Sequence, residues 1–275
     1  MENKYPMTAT TNFGLEEILA GELEKIGAED IELMYKAVTF QGDLETMYRA
    51  NLELRTALRI LKPIAKFQIR NEQDLYDNTF AIEWNKYLTP DTTFAINVAM
   101  YSEKFTNSNF LAMKAKDAVV DQLRTAFDGK RPNVDLDDPD LRLHFYINLD
   151  QCIVSLDSSG NSLHKRGYRI GQGLAPINEV LAAGMIMLAE WDGQSDFIDP
   201  MCGSGTMLME AATIAHNIAP GILNNNFGFM KWNNFVGIFI NYTFNVIMHC
   251  ISVIVPHSKF CFSTQLLILP LRYMF

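Results

Sequence analysis

Phe197-Ile198-Asp199-Pro200-Met201-Cys202-Gly203-Ser204-Gly205-Thr206 is the stretch on which the reading of this chain turns. Phe197 to Pro200 has the character of a short strand, and Met207 to Ala212 is an apolar run suited to a helix. Two glycines one residue apart let the backbone turn sharply and approach a ligand where a Cβ would clash. Ser204 or Thr206 is placed to cap the following helix, whose first turn offers free N–H groups and partial positive charge. Asp199 falls at the carboxyl end of the strand, where ligands bind in open α/β sheets. The stretch therefore describes a strand–loop–helix junction of the kind that holds a nucleotide-like ligand.

Several uses of such a loop are disfavoured by its neighbours. A bare Gly-x-Gly also closes ordinary turns. The third glycine of a dinucleotide fingerprint is missing, because position 208 is Leu. No Gly-Lys-Ser/Thr follows, which disfavours a triphosphate-gripping loop. Cys202 as a nucleophile would need an activating base, and no His stands near it in sequence.

What remains is Asp199-Pro200-x-Cys202-Gly203-Ser204-Gly205-Thr206 with Glu210 four positions on. This resembles motif I of S-adenosylmethionine (SAM)-dependent methyltransferases. More narrowly it is similar to the THUMP-associated RNA methyltransferases, which make N2-methylguanine in ribosomal or transfer RNA. The resemblance implies SAM as cofactor, with Asp199, Pro200, Cys202, Gly203, Ser204, Gly205 and Thr206 around its methionine part.

A second stretch carries the narrower resemblance. Leu163-His164-Lys165-Arg166-Gly167-Tyr168-Arg169, then Ala175-Pro176-Ile177-Asn178-Glu179 and Leu181-Ala182-Ala183, resembles the family's link between RNA-binding and catalytic parts. From the residues alone, Pro176 suits a first helical turn. Ile177, Val180, Leu181, Gly184 and Leu188 then recur at helical spacing and predict one buried face. Arg166 and Arg169 read as solvated charge, as phosphate contacts or as an interdomain tie.

The chain has 275 residues, room for about two domains with a proper core. Its net charge of −9 means that any RNA contact must come from a local basic patch. The four cysteines, Cys152, Cys202, Cys250 and Cys261, have neither metal-ligand spacing nor a secreted disulfide framework, and the five histidines show no metal pattern. The polar N-terminus does not look like a signal peptide, and a cytoplasmic location is the default expectation.

Along the chain, residues 5–11 predict a strand, Phe13 to Gly27 a helix, Ile31 to Phe40 an extended segment, Asp43 to Leu54 a capped helix, and Arg55 to Ile69 a strand. This β-α-β-α-β order suggests a ferredoxin-like α+β unit. A second cycle follows: a helix over Asp74 to Trp84, a strand over Thr93 to Tyr101, and a long helix to Phe127 capped by Asn107 or Ser108. Gly129 to Asp140 reads as a loop, and Leu141 to Asn148 pairs with Cys152 to Asp157 across Leu149-Asp150-Gln151.

This middle region resembles a THUMP domain on Phe105-Thr106-Asn107-Ser108 and Leu143-His144-Phe145-Tyr146-Ile147 leading to Leu156-Asp157. The resemblance implies structured RNA, ribosomal in this family, as partner. Lys104, Lys114, Lys116 and Arg124, with Arg166 and Arg169, are the candidate RNA contacts. Asp117, Asp121 and Asp128 interleave with them, as on a solvated helix face.

The expected organisation is a ferredoxin-like domain over 1–65, a THUMP-like domain over 66–160, a partial α/β Rossmann-like methyltransferase domain over 161–235, and an apolar tail over 236–275 that does not look native. The tail holds no Asp or Glu and only Lys259 and Arg272, so the first 235 residues carry −11 against −9 for the whole. Val236 to Val255 is about bilayer length, but polar residues interrupt it, so no membrane is expected unless the tail is native. No Pro-Pro pair occurs in the sequence. The Asn/Asp-Pro-Pro-Tyr motif that holds the target amine in the family is therefore absent, and no catalytic residue is assigned. The expectation is a guanine-N2 rRNA methyltransferase present as an inactive fragment. The alternatives are a catalytically silent THUMP module that grips RNA and an N6-adenine methyltransferase.

Overall fold

The computed structural model describes residues 4–169, 176–233 and 235. The apolar tail, Ala175 of the second motif and residues 170–174 lie outside the described residues.

The first unit is β1 (Tyr5–Thr10), α1 (Glu16–Lys25), β2 (Glu29–Met34), β3 (Ala37–Gly42), α2 (Leu44–Glu53) and β4 (Arg59–Gln68). Period-two alternation sends Met7 and Ala9 of β1, with Val38 and Phe40 of β3, into the core. Leu19 and Leu23 of α1 lie over them. Asp43 starts α2, its carboxylate accepting the Thr46 N–H at 2.8 Å. One expectation is corrected. The segment read as a single extended run is a hairpin, which makes the order β-α-β-β-α-β. Its turn is made by Tyr35 and Lys36, and Lys36 takes φ +56°. A lysine in the left-handed region carries none of the Gly or Asn signal by which such turns are recognised.

The second unit is α3 (Glu72–Phe80), β5 (Thr93–Tyr101), α4 (Ser108–Ala126), β6 (Asn133–Val134), β7 (Leu141–Asn148) and β8 (Gln151–Asp157). Asn71 caps α3 and Asn107 caps α4, each accepting a backbone N–H three residues on. The helix expected to reach Trp84 stops at Phe80. Trp84 instead opens a 3-10 turn, fully buried, with its indole N–H donating to the Thr79 carbonyl at 2.8 Å. Burial of a side chain that size is worth roughly 2–3 kcal/mol. The expected loop before β7 contains the short strand β6, which pairs in parallel with β5.

The eight strands of the described residues form one sheet in the order β2-β3-β1-β4-β8-β7-β5-β6. The joint between the units is the antiparallel pair β4–β8, from Leu61 opposite Asp157 to Gln68 opposite Gln151, with a register shift between Pro63 and Ala65. Two cores lie along this sheet, one under α1 and α2, the other under α3 and α4.

Past β8 the described residues supply two more helices, α5 (Glu179–Leu188) and α6 (Thr206–Ala215), which pack on each other. The strand expected at Phe197 to Pro200 is not formed, and no described residue pairs with it. A parallel strand is held by its neighbours, and the described residues beyond Asp157 offer none. The face expected on α5 is rotated. Val180, Ala182, Ala183, Gly184 and Ile186 are buried, whereas Leu181 and Leu188 are exposed. Pro176 precedes the cap residue Asn178 and so stands outside the first turn. The chain then returns to the first unit, where Phe227 and Phe229 stack at 5.3 Å in its core.

Candidate functional site

The glycine loop sits at the start of α6. Gly203 and Gly205 both adopt left-handed backbone, φ +52° and +77°, and no described atom lies within 4 Å of where a Cβ on either would stand. The conformation favours glycine, and the space beside it is open to a ligand. Gly205 itself is the helix cap, its N–H bonded to the Cys202 carbonyl at 2.7 Å. This corrects the expected side-chain cap: the Ser204 and Thr206 hydroxyls meet each other at 3.2 Å, and neither caps the helix. Asp199 turns one carboxylate oxygen back onto the Met201 N–H at 3.1 Å. Pro200, Cys202, Gly203 and Ser204 are exposed. The loop is thus a rim of accessible backbone at a helix N-terminus, a geometry that suits an anionic or dipolar group.

Behind the loop, α6 is clamped along one face. Thr206, Glu210 and Thr213 recur at i, i+4 and i+7, which aligns them on one side of a helix. Arg169 donates to the Thr206 hydroxyl at 3.1 Å and pairs with Glu179, at the start of α5, at 2.7 Å. Tyr168 donates its phenol hydrogen to Glu210 Oε1 at 2.9 Å, and Arg166 Nε stands 3.6 Å from the same oxygen. Arg55, from the first unit, bonds the Thr213 hydroxyl and carbonyl, both at 3.0 Å, and the Ile218 carbonyl at 2.6 Å. The other end of Arg166 donates to the carbonyls of Leu163 at 2.8 Å and Arg55 at 2.5 Å. Burial pushes the Glu210 carboxyl above the usual range, with Arg166 opposing the shift. Burial and then Glu210 push the Tyr168 phenol up as well.

This geometry corrects the expectation for Arg166. It is 4% exposed and its guanidinium serves internal partners, so it is an interdomain tie and does not face an RNA phosphate. Arg169 is likewise engaged by Glu179 and Thr206, although its side chain stays partly open at 24%. The other candidate RNA contacts lie on or before α4. Lys104 is exposed. Lys116 pairs with Asp117 at 2.8 Å, Arg124 with Asp121 at 3.4 Å, and Lys114 Nζ lies 5.0 Å from the Tyr76 ring centre. Lys114 and Lys116, two residues apart, cannot share one helix face. His144, in β7, is held neutral by burial and by Arg59, its pKa lowered to about 4. No cluster of metal-ligating side chains occurs among the described residues, and no described helix is long and apolar enough to cross a membrane.

Sequence reasoning missed Arg55, Tyr168 and the role of Glu210. A signal was present: Thr206, Glu210 and Thr213 form a polar stripe through an otherwise apolar helix. Outside the clamp, α5, α6 and the segment between them border a depression of about 840 Å³ lined by Met185, Ile186, Trp191, Phe197 and Met207 among others. Ile198 and Met201 are 81% and 89% exposed nearby.

Comparison with known proteins matches three family models in series: an RlmL ferredoxin-like domain over residues 6–61, a THUMP domain over 69–157, and an RMKL-like methyltransferase domain over 166–252. The third match runs past Phe235 into the segment set apart by its composition. The chain is similar to the ribosomal RNA large subunit methyltransferase K/L of Desulfotalea psychrophila, 39% identical over 84% of this chain and 33% of that protein. It is similar to a putative RNA methyltransferase, slr0064, of Synechocystis, 41% identical over 84% of this chain and 60% of that protein. The chain thus spans a third to three-fifths of these curated relatives. Among solved structures, a possible methylase from Clostridium difficile 630 is 32% identical with TM-score 0.78, covering 94% of this chain and 67% of that one. SMU.472, a putative methyltransferase complexed with SAH, is 32% identical with TM-score 0.78, covering 90% and 66%.

Proposed function

The chain belongs to the THUMP-containing, RlmL-like methyltransferase family, and from that premise we propose that it takes part in RNA methylation with SAM as methyl donor. The observation that carries this reading is the glycine loop: left-handed, open on its outer side, and fixed to the N-terminal half through α6. Asp199 to Thr206 would hold the cofactor, with the bared backbone of Gly203 and Gly205 against it. Bound there, SAM supplies an electrophilic methyl group to an amine. The chain's own part is placement. The arginine clamp fixes α6 and hence the loop, so little reorganisation is left when a substrate arrives. The second unit supplies the RNA grip, and a target base leaves its stack to reach such a pocket.

At finer grain we assign the exocyclic N2 amine of guanine in ribosomal RNA as target, in a cytoplasmic setting. The family resemblance supports the guanine amine, and the name of the Desulfotalea relative supports ribosomal RNA. Since its sequence holds no Pro-Pro pair, the chain is expected to bind RNA, bind SAM weakly and transfer little. Calorimetric titration with SAM, with nucleoside analysis of ribosomal RNA after incubation, tests the assignment. Weak saturable binding abolished by Gly203→Arg is the expected result. Binding that survives Gly203→Arg overturns the loop assignment, and methylated adenine in place of N2-methylguanine overturns the guanine assignment.

The missing Pro-Pro pair also favours a second reading, a THUMP protein that grips RNA without methyl transfer. Under it the chain binds RNA equally well before and after Gly203→Arg and never modifies it.

A further inference from the structure

Two of the most exposed aromatic rings stand together far along the sequence from the basic residues of α4. Phe13, in the β1–α1 loop, is 71% exposed, and Tyr35, in the β2–β3 turn, is 72% exposed. Their ring centres are 5.8 Å apart at an interplanar angle of 48°. Lys36 Nζ lies 5.3 Å from the centre of the Tyr35 ring. Neither ring belongs to either core, and side by side they present aromatic faces to solvent.

The pair is built, not incidental. Glu16 holds both loops with one carboxylate, accepting the Gly14 N–H at 2.7 Å and the Lys36 N–H at 3.0 Å. The Lys36 carbonyl in turn accepts the Thr11 N–H at 2.9 Å. Lys36 is kept in left-handed backbone, a conformation a lysine adopts only when its surroundings insist. Directly after Phe13 and Gly14, Leu15 is buried against the Gly184 position of α5. The loop that carries Phe13 therefore abuts α5 through Leu15.

We propose that Phe13, Tyr35 and Lys36 form a stacking platform for unpaired nucleotides of the RNA substrate. This rests on the RNA reading above and adds a contact point in the ferredoxin-like unit, away from the THUMP unit. Single-stranded RNA is held by base stacking on aromatic faces with a cation nearby for the phosphates, and a rigid platform loses little entropy on binding. The Lys36 ammonium is what a purely apolar protein-docking patch would lack.

The test is fluorescence anisotropy with a short labelled single-stranded RNA and the full chain. The Phe13→Ala/Tyr35→Ala double variant is expected to bind about tenfold more weakly, the order of one lost stacking contact. Lys36→Glu is expected to weaken binding and flatten its salt dependence. Tyr35→Phe, which keeps the ring, is expected to bind as the unaltered chain does. Equal affinity for the double variant and the unaltered chain overturns the platform while leaving the RNA reading intact. No RNA binding by the unaltered chain overturns both. A sedimenting dimer that Tyr35→Ala dissolves, with RNA affinity unchanged, assigns the rings to self-association and overturns the proposal.

Discussion

Arg166 Nε lies 3.6 Å from Glu210 Oε1 inside the protein, the two side chains 3% and 1% exposed. Neither charge has water to fall back on: Glu210 depends on Arg166 and on Tyr168, and Arg166 on Glu210 and the carbonyls of Leu163 and Arg55. Glu210 Oε2 and Arg166 Nε lack a hydrogen-bond partner among the described residues, so the pair is tightly buried but incompletely satisfied.

Removing the cation should hurt more than removing the anion. Arg166→Met leaves a buried carboxylate and is expected to cost about 3–5 kcal/mol in urea unfolding. Glu210→Gln should act differently with pH. The folded protein holds the Glu210 proton more tightly than the unfolded chain, because burial raises its pKa. Between the ordinary value of 4.5 and the raised one, folding takes up a proton, so this group's share of stability is full below that window and declines as pH rises through it. The difference between unaltered and Glu210→Gln stability, measured in steps from pH 4 upward, should carry that slope. A flat difference refutes it.

Gly203 and Gly205 should respond to alanine through backbone alone, because no described atom waits within 4 Å of the new methyl group. Each substitution is expected to cost roughly 1–2 kcal/mol locally, seen as faster amide exchange across the first turn of α6. A loss of SAM affinity larger than that local cost would mark the methyl as meeting the ligand.

Gly184→Ala should strain the contact between α1 and α5. Its Cβ would stand 2.5 Å from Leu15 Cδ1 and 3.1 Å from Cγ, and Leu15 is 2% exposed. A loss of about 1–3 kcal/mol is expected. Adding Leu15→Ala should make the double variant less unstable than the two single losses summed, as a double-mutant cycle will show.

Cys202 offers a direct probe of the loop. It is exposed, whereas Cys152 is buried with its thiol pushed up to about 12 by burial. In a Cys250→Ser/Cys261→Ser background, maleimide should label one thiol quickly, and SAM should slow that labelling. Unchanged labelling at saturating SAM would place the cofactor elsewhere.

Where local chemistry was explicit, the sequence was legible. Asp43 and Asn107 announced their helices, and β5 and β7 have the bounds that alternation predicts. The hairpin turn at Lys36 was hidden because its left-handed residue is held by Glu16 and Thr11, which are distant in sequence. The strand at Phe197 had the right residues but no described neighbour to pair with. The glycine loop could be read from spacing, but its clamp could not. Arg55 and Thr213 are 158 residues apart, and only the folded chain brings them together.

The β4–β8 ladder carries a practical consequence for anyone dividing this protein. A cut between the first two units would leave each half with a bare strand edge, hungry for amide partners. Such halves should either clump or, mixed early, zip back together without a covalent bond between them.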